Sequence, residues 1–239
     1  MSATTILENI IDERAEMVQL DPVGLDHILS EGWRLLGRRF VRHNFSTWHR
    51  KLCRTIPLRV RLAQFEPTKS QRQTLRRNED LRVLSAPARF DSERERLFEL
   101  HRMRFHEKQA TTLASFIHVE SPNLYPTVGR ELEVHLNNEL IACSFFHLGQ
   151  KAVSGTYCVF DPAHSRRSLG TLTMLLELLI AKESGMEFYY HGYAYDIPSQ
   201  FDYKLNVKGL EALNWETGVW SPMDRVPVRR WVDIAEFEK

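Results

Sequence analysis

Hydrophobic positions fall into three rhythms along this chain. In residues 5–20 they recur at helical spacing, at Ile6, Ile10 or Ile11, Met17 and Leu20, and Asp21-Pro22 ends the pattern, which predicts an N-terminal helix. A short second helix is expected over residues 25–31. From 33 to 45 and again from 56 to 65 the pattern turns extended. In the latter stretch Leu58, Val60 and Leu62 alternate with Arg59 and Arg61, which gives a strand with one apolar and one cationic face. Residues 69–77 read as a basic helix. Residues 91–108 read as a longer one, opened by Asp91-Ser92 with acids in its first turn.

The second half is more regular. Residues 131–135, 140–147 and 152–160 alternate as a three-strand meander, with turns at Asn137-Asn138 and Gly149-Gln150, and Asp161-Pro162 stops the third strand. A long apolar helix follows over about residues 169–182, closed near Ser184-Gly185. Next come a strand over 187–191, an aromatic and polar segment over 192–204, and one or two strands within 210–219. The class is therefore α+β. Three antiparallel strands, a long helix and a returning strand are the ingredients of an N-acetyltransferase-type (GNAT) fold with a mainly antiparallel, mixed sheet flanked by helices. A shift in charge near 78–87 divides the chain into a basic N-terminal lobe, 1–80, and a transfer domain, 81–239.

Composition narrows the class. At 239 residues, with 43% apolar and 26% charged side chains, the chain has enough material for one large core or two small ones. The start lacks the basic flank and apolar run of a secretory signal, and the longest apolar run, near 172–181, is too short for a bilayer and is interrupted by Glu177. Cys53, Cys143 and Cys158 have no paired short spacing. A cytoplasmic protein without membrane attachment is expected.

Charge changes the picture more. Between Gly32 and Asn78 thirteen Lys or Arg residues stand against one acid, Glu66, while the whole chain carries only +1. Trp33, Phe40, Phe45, Trp48 and Phe65 are interleaved with them, so the segment is folded basic surface rather than a disordered tail. Like charges crowded on one face destabilise the compact state unless something neutralises them. Two arrangements do so: a polyanionic partner, or acids folded back from elsewhere in the chain.

The stretch Arg166-Arg167-Ser168-Leu169-Gly170-Thr171 resembles the acetyl-CoA pyrophosphate loop at Arg167 and Gly170. Leu172, however, occupies its last small position, which disfavours coenzyme A as donor. A fuller resemblance lies in "FDPAHSRRSLGTLTMLLELLIAKESGMEFYYHGY", then "FDYK" and "LEALNW". These segments are similar to the C-terminal domain of the arginyl-tRNA–protein transferase family, whose bacterial leucyl-transferring members are closer in length. "GWRLLGRRF", "IPLRVRLAQFEPTKSQRQTLRRN" and "LFELHRMRFH" follow that family's order as well, so the resemblance spans about residues 31–215.

The resemblance implies transfer of an aminoacyl group, arginyl or leucyl, from charged tRNA to an acceptor amine. In the family the acceptor is a protein's N-terminal Asp or Glu. A relative acting on a peptide or small metabolite, an acyl-CoA transferase and a non-catalytic RNA-binding module are the alternatives. Family members also carry a cysteine cluster upstream of the "IPLR" segment. Aligning on Pro57 puts His49, Leu52 and Thr55 at those positions, with Cys53 out of step, so no zinc or iron–sulfur site and no cofactor are expected. Packing, for instance of Phe45, Trp48 and Leu52, would replace the staple.

The two lines of reasoning then assign residues. Arg59, Arg61, Lys69, Arg72, Arg76 and Arg77, with Arg166 and Arg167, are candidates for tRNA phosphate contacts. Tyr157, His191, Ser168 and Gly170 are expected to bind substrate. Tyr193 and Tyr203 are expected to shape the aminoacyl-adenosine pocket, Lys204 to stabilise negative charge, and Asp161 to bind the donor α-amine or order the loop before Ser168. His106 matches a family histidine on the helix of residues 91–108, where a structural role competes with that of a base.

Overall fold

The computed structural model describes residues 10–16, 19–105, 112–223 and 232–233. His106 lies outside them, as do residues 5–9 and 17–18 of the predicted N-terminal helix. The part of that helix that is described is a strand, β1 (Asp12–Glu16), antiparallel to β3 (Arg39–His43). Its sequence is nearly all charged, and it pairs Glu13 with Arg42 at 2.8 Å and Glu16 with Arg39 at 4.0 Å across the ladder. Cross-strand charge pairing has outweighed a helical signal carried by few apolar residues. β2 (Arg34–Leu36) completes this three-stranded sheet. Helix α1 (Pro22–Ser30), capped by Asp21, buries Leu25, Ile28 and Leu29 against Leu35, Phe40 and Tyr190.

The main sheet runs β12-β11-β5-β10-β9-β8-β7-β6. β5 (Lys51–Arg61) lies between β11 (Leu210–Leu213) and β10 (Phe188–Tyr195), and it also forms a hairpin with β4 (Phe45–Trp48). Residues from both sides of position 80 thus share one sheet. β7 (Gly129–Leu136), β8 (Glu139–Leu148) and β9 (Ala152–Phe160) form the expected meander. β6 (Arg82–Pro87) pairs along β7 at the edge. Its half-exposed residues carry no alternation, so nothing in their pattern announces a strand. β12 (Trp220–Pro222) closes the other edge, and β13 (Val232–Asp233) pairs with β5. Every pairing but one in this sheet is antiparallel; β9 and β10 run parallel, with their connection made by the long helix.

That helix, α4 (Leu169–Glu183), packs Met174, Leu175, Leu178 and Ala181 against Leu58, Val60, Leu132, Phe146 and Val153. Helix α3 (Ser92–Arg102), capped by Asp91, covers the opposite face of β8 with Leu97 and Phe98 on Cys143 and Phe145. It ends before the predicted position 108. Under it Arg94, 1% exposed, is held by Asp91, Glu131 and Glu133.

Helix α2 (Lys69–Arg77) falls where the basic helix was expected, with Thr68 and Gln71 forming a capping box. Its C-terminus is tied to the turn preceding α4: Arg77 donates to the Arg166 carbonyl at 2.9 Å, and Asn78 to the Arg167 carbonyl at 3.0 Å.

Candidate active site

The parallel pairing of β9 with β10 is short. It covers Ala152–Ser154 opposite Phe188–Tyr190, after which β10 bulges between Tyr190 and Gly192 and continues against β5 alone. The two strands therefore part, and the wedge between them opens into a cavity of 580 Å³. β9 contributes Gly155–Cys158 to its walls, β10 His191, and α4 Gly170, Thr173, Met174 and Glu177. Tyr203, Lys204 and Phe201 come from the segment after β10, Trp48 from the β4–β5 hairpin, and Arg104 and Phe105 from beyond α3.

The helix α4 end of the cavity is chemically distinct. Ser168 adopts a left-handed conformation (φ 56°) before the helix and supplies no side-chain cap to the first-turn N–H groups, and Gly170 and Thr171 of that turn line the cavity. Leu172 is buried among Val134, Ile141 and Phe160 instead. Two turns on, Glu177 is the only carboxylate among the described residues that line the cavity. It accepts hydrogen bonds from Ser144 and, at 2.6 Å, from Tyr189. Burial pushes the Glu177 carboxyl up to about 7, against the opposing pull of those two bonds. Gly155 makes this possible, because a Cβ there would lie 2.3 Å from the Tyr189 hydroxyl.

The other end is cationic. Lys204 is buried, with its ammonium 3.4 Å from the Tyr193 carbonyl and over the Phe201 ring. Burial, reinforced by Arg34, holds it well below the ordinary lysine range. Arg34 reaches in from β2 and donates to the Thr156 carbonyl at 3.3 Å. His191 is kept neutral by burial and by Lys204, and neither of its ring nitrogens is hydrogen-bonded. Tyr203 retains 38% exposure because it borders the open cavity, although burial of its hydroxyl pushes the phenol above its ordinary range. Tyr157 lies flat on Phe116, 3.7 Å between ring centroids. The Cys158 thiol, bonded by Thr173, is pushed up to about 12 and is no nucleophile at neutral pH.

Of the residues singled out from sequence, Tyr157, His191, Tyr203, Lys204, Ser168 and Gly170 therefore meet in one cavity. Tyr193 does not. Its ring turns to the opposite face of β10, where the hydroxyl donates to the Gly32 carbonyl at 2.6 Å and clamps β10 to the small sheet. The bulge before Gly192 shifts side-chain alternation at that point, which strand periodicity alone does not reveal. Asp161 caps the turn Pro162–Arg167 by accepting from Ala163 at 2.8 Å and does not line the cavity.

The basic candidates also divide. Arg59 is paired to Glu211 at 2.6 Å and lies over the rings of Phe188 and Trp220, at 4.0 and 4.5 Å; it is interior structure, not a phosphate contact. Arg61 shares Glu211 at 2.8 Å, and Arg167 is bidentate to Asp80 at 2.8 and 2.9 Å. For these three, acids folded back from elsewhere supply the neutralisation. Lys69, Arg72, Arg76, Arg77 and Arg166 remain exposed and without an ion pair among the described residues; Arg76, Arg77 and Arg166 stand where the C-terminus of α2 meets the turn into α4, with Arg72 and Lys69 further back along α2. The cationic face thus adjoins the cavity, whose lining includes Ser165 and Ser168 of that turn.

The region aligned with the family's cysteine cluster does not fit a metal. Leu52 has no ligating atom, the Cys53 thiol donates to the Ser46 carbonyl, and the Thr55 hydroxyl to that of His43. Trp48 packs there on Tyr195 and Phe201, 5.9 and 5.6 Å between centroids, and so joins the hairpin to the cavity wall. Among the described residues, no group of His, Cys, Asp or Glu is arranged to hold an ion, and no helix is long and apolar enough to cross a membrane. Sequence reasoning missed Arg34, Trp48, Arg104 and Glu177 as cavity residues. Glu177 alone had a signal, a lone acid inside an apolar helix.

Comparison with known proteins adds lineage to this geometry. The family described as "Arginine-tRNA-protein transferase, C terminus" matches residues 93–214. An aspartate/glutamate leucyltransferase of Aeromonas salmonicida is 30% identical over 218 residues, covering 87% of this chain and 85% of the relative. One from Marinobacter nauticus is also 30% identical, covering 89% and 90%. The solved structure of L-PGS from Bacillus licheniformis is similar with a TM-score of 0.47 at 15% identity, over 74% of this chain and 64% of that one. The family match runs from the first turn of α3 to just past β11, and so takes in both walls of the wedge and the helix that crosses it: the chain belongs to the arginine-tRNA-protein transferase family.

Proposed function

We propose that this protein transfers a leucyl group from charged tRNA to the α-amine of an N-terminal Asp or Glu, within a GNAT-like fold and in the cytoplasm. The observation that carries the reading is a cavity with an apolar body, reached past an exposed cationic face. Trp48, Phe105, Phe116, Phe160, Met174 and Phe201 wall it, and the one carboxylate among its described lining residues, Glu177, is already engaged by Ser144 and Tyr189. An arginyl side chain requires acids free to pair with it, whereas a leucyl side chain requires apolar wall. The named relatives are leucyltransferases, which agrees.

The ester is already activated, so positioning supplies much of the rate. Lys69, Arg72, Arg76, Arg77 and Arg166 would hold tRNA phosphates, and the uncapped first turn of α4 would receive the phosphate nearest the esterified 3′ end. The acceptor amine attacks the ester carbonyl, the bond to the ribose oxygen breaks, and that oxygen takes a proton. Glu177, poised near neutrality, accepts a proton from the attacking ammonium. Lys204 and Tyr203 stabilise the developing oxyanion. No metal or other cofactor takes part in this scheme.

The test offers labelled leucyl-tRNA and arginyl-tRNA separately with peptides beginning Asp, Glu or Ala. Label from leucyl-tRNA should reach the acidic peptides. Exclusive use of arginyl-tRNA would overturn the donor assignment, and transfer from neither would overturn the function.

A further inference from the structure

Arg34 stands apart from two other interior arginines, Arg59 and Arg94. Arg59 has Glu211, and Arg94 has Asp91, Glu131 and Glu133. Arg34 has no carboxylate among the described residues. Its Nε is buried without any hydrogen-bond partner, and one Nη2–H reaches the Thr156 carbonyl at 3.3 Å, which leaves most of a five-donor fork unused. The groups that surround its charge are the hydroxyls of Tyr157, Tyr193, Tyr195 and Tyr203, with the cation Lys204 beyond them. An unpaired guanidinium in such surroundings is costly to keep.

The position is nonetheless built for it. The guanidinium lies flat over Gly192 at the β10 bulge, where a Cβ would stand 3.0 Å from Nε and 3.2 Å from Cζ. Gly192 has φ +82°, so both the turn of the strand and the room for the arginine need a residue without a side chain. Arg34 therefore lines the cavity with no carboxylate to compensate its charge among the described residues. It is also separate from the exposed arginines of α2 that would take phosphates.

We propose that Arg34 is the carboxylate receptor of the cavity: it takes the side-chain carboxylate of the acceptor's first residue in a paired hydrogen bond and sets the preference for Asp and Glu over their amides. Planar two-point recognition of a carboxylate is what an arginine fork does best, and the acid that neutralises Arg34 arrives with the substrate. The inference rests on the transferase reading and assigns its acceptor specificity to one side chain.

The test measures kcat/KM for peptides beginning Asp, Asn, Glu and Gln, with leucyl-tRNA as donor, in the wild type, Arg34→Met and Arg34→Lys. The ratio of acid to amide is taken within each enzyme, so any loss of folded protein cancels. The wild type should favour acids by roughly 10- to 100-fold, the worth of a charge-assisted hydrogen bond at a buried site. Arg34→Met should bring the ratio close to one, mainly through a raised KM for the acidic peptides, and Arg34→Lys should restore part of it. An unchanged ratio in Arg34→Met overturns the proposal. So does an equal fall for all four peptides with weakened tRNA binding, which would make Arg34 a phosphate contact. A wild type that transfers without discriminating overturns this inference alone, whereas one that transfers to no peptide from any aminoacyl-tRNA overturns the transferase reading and this inference with it.

Discussion

Replacing Glu177 by Gln separates what its carboxylate does for catalysis from what it costs the fold. Burial raises this group from an ordinary 4.5 to about 7, although Ser144 and Tyr189 donate to it. Between those two values the native state holds a proton that the unfolded chain has released, so wild-type stability falls as pH rises through the window. The slope is about 1.4 kcal/mol per pH unit and the total is about 3 kcal/mol, complete above pH 7 and absent below 4.5. Glutamine does not titrate. Its amide also changes one of the two hydrogen bonds, an offset of about 1 kcal/mol that does not vary with pH. Urea melts of both proteins at pH 4.5, 6 and 7.5 should therefore show the difference, variant minus wild type, growing by about 3 kcal/mol towards high pH. Other titrating groups are common to both and cancel. In transfer assays the wild-type rate should rise to a plateau above pH 7, and the variant should lose most of its rate together with that limb. A stability difference that stays flat with pH would refute the assignment of a buried, proton-holding carboxylate.

Other predictions test the division among the basic and aromatic residues. Reversing Arg72 and Arg76 together should weaken tRNA binding and reduce the salt slope by about two, one for each phosphate no longer neutralised, in binding titrations at several salt concentrations. Arg59→Leu should leave tRNA affinity per folded molecule unchanged but lower the midpoint of chemical unfolding by about 2 kcal/mol, since Glu211 keeps Arg61 as its remaining partner. Arg94→Met should cost about 3–5 kcal/mol in the same measurement, because Glu131 is then left with a bond from Arg89 that is half in water. Tyr193→Phe should lose about 1–2 kcal/mol of stability with kcat nearly intact, the opposite of what a donor-pocket residue would show.

The legible features of this chain were those written in local pattern. The meander, the basic helix and the long apolar helix follow from periodicity and capping, and they fell within a few residues of expectation. The cavity-lining positions Tyr157, His191, Tyr203 and Lys204 were singled out from motif resemblance, and they sit on or next to the strands and turn that bound the wedge. What escaped was set by partners distant in sequence. Whether Arg59 meets phosphate or carboxylate depends on Glu211, 152 residues away, and no window on the sequence contains both. The strand β6 depends on β7, and the strand β1 on the charges of β3. Tyr193 was misplaced by a single bulge.

Arg34 and Glu177 escaped for a different reason, and together they explain why the cavity works as a site. Each is a charge placed among apolar or neutral groups, Glu177 in a leucine-rich helix and Arg34 amid tyrosines. In a chain selected for stability alone they would be paired with each other or replaced. They are not paired: Glu177 spends its bonds on Ser144 and Tyr189, and Arg34 is left with a carbonyl and an empty Nε. Both line the cavity where β9 and β10 part, unpaired with each other, and each has its place through a missing side chain, Gly155 for Glu177 and Gly192 for Arg34. A substrate carrying an ammonium and a carboxylate a few bonds apart, as an N-terminal Asp or Glu does, presents its ammonium to the acid and its carboxylate to the cation. The same lack of pairing penalises a substrate that lacks either group, since one interior charge would then stay uncompensated. Affinity for the acceptor and the cost of the empty site are thus two consequences of one arrangement, and substitutions that neutralise either end should stabilise the unliganded fold while they degrade acceptor selection.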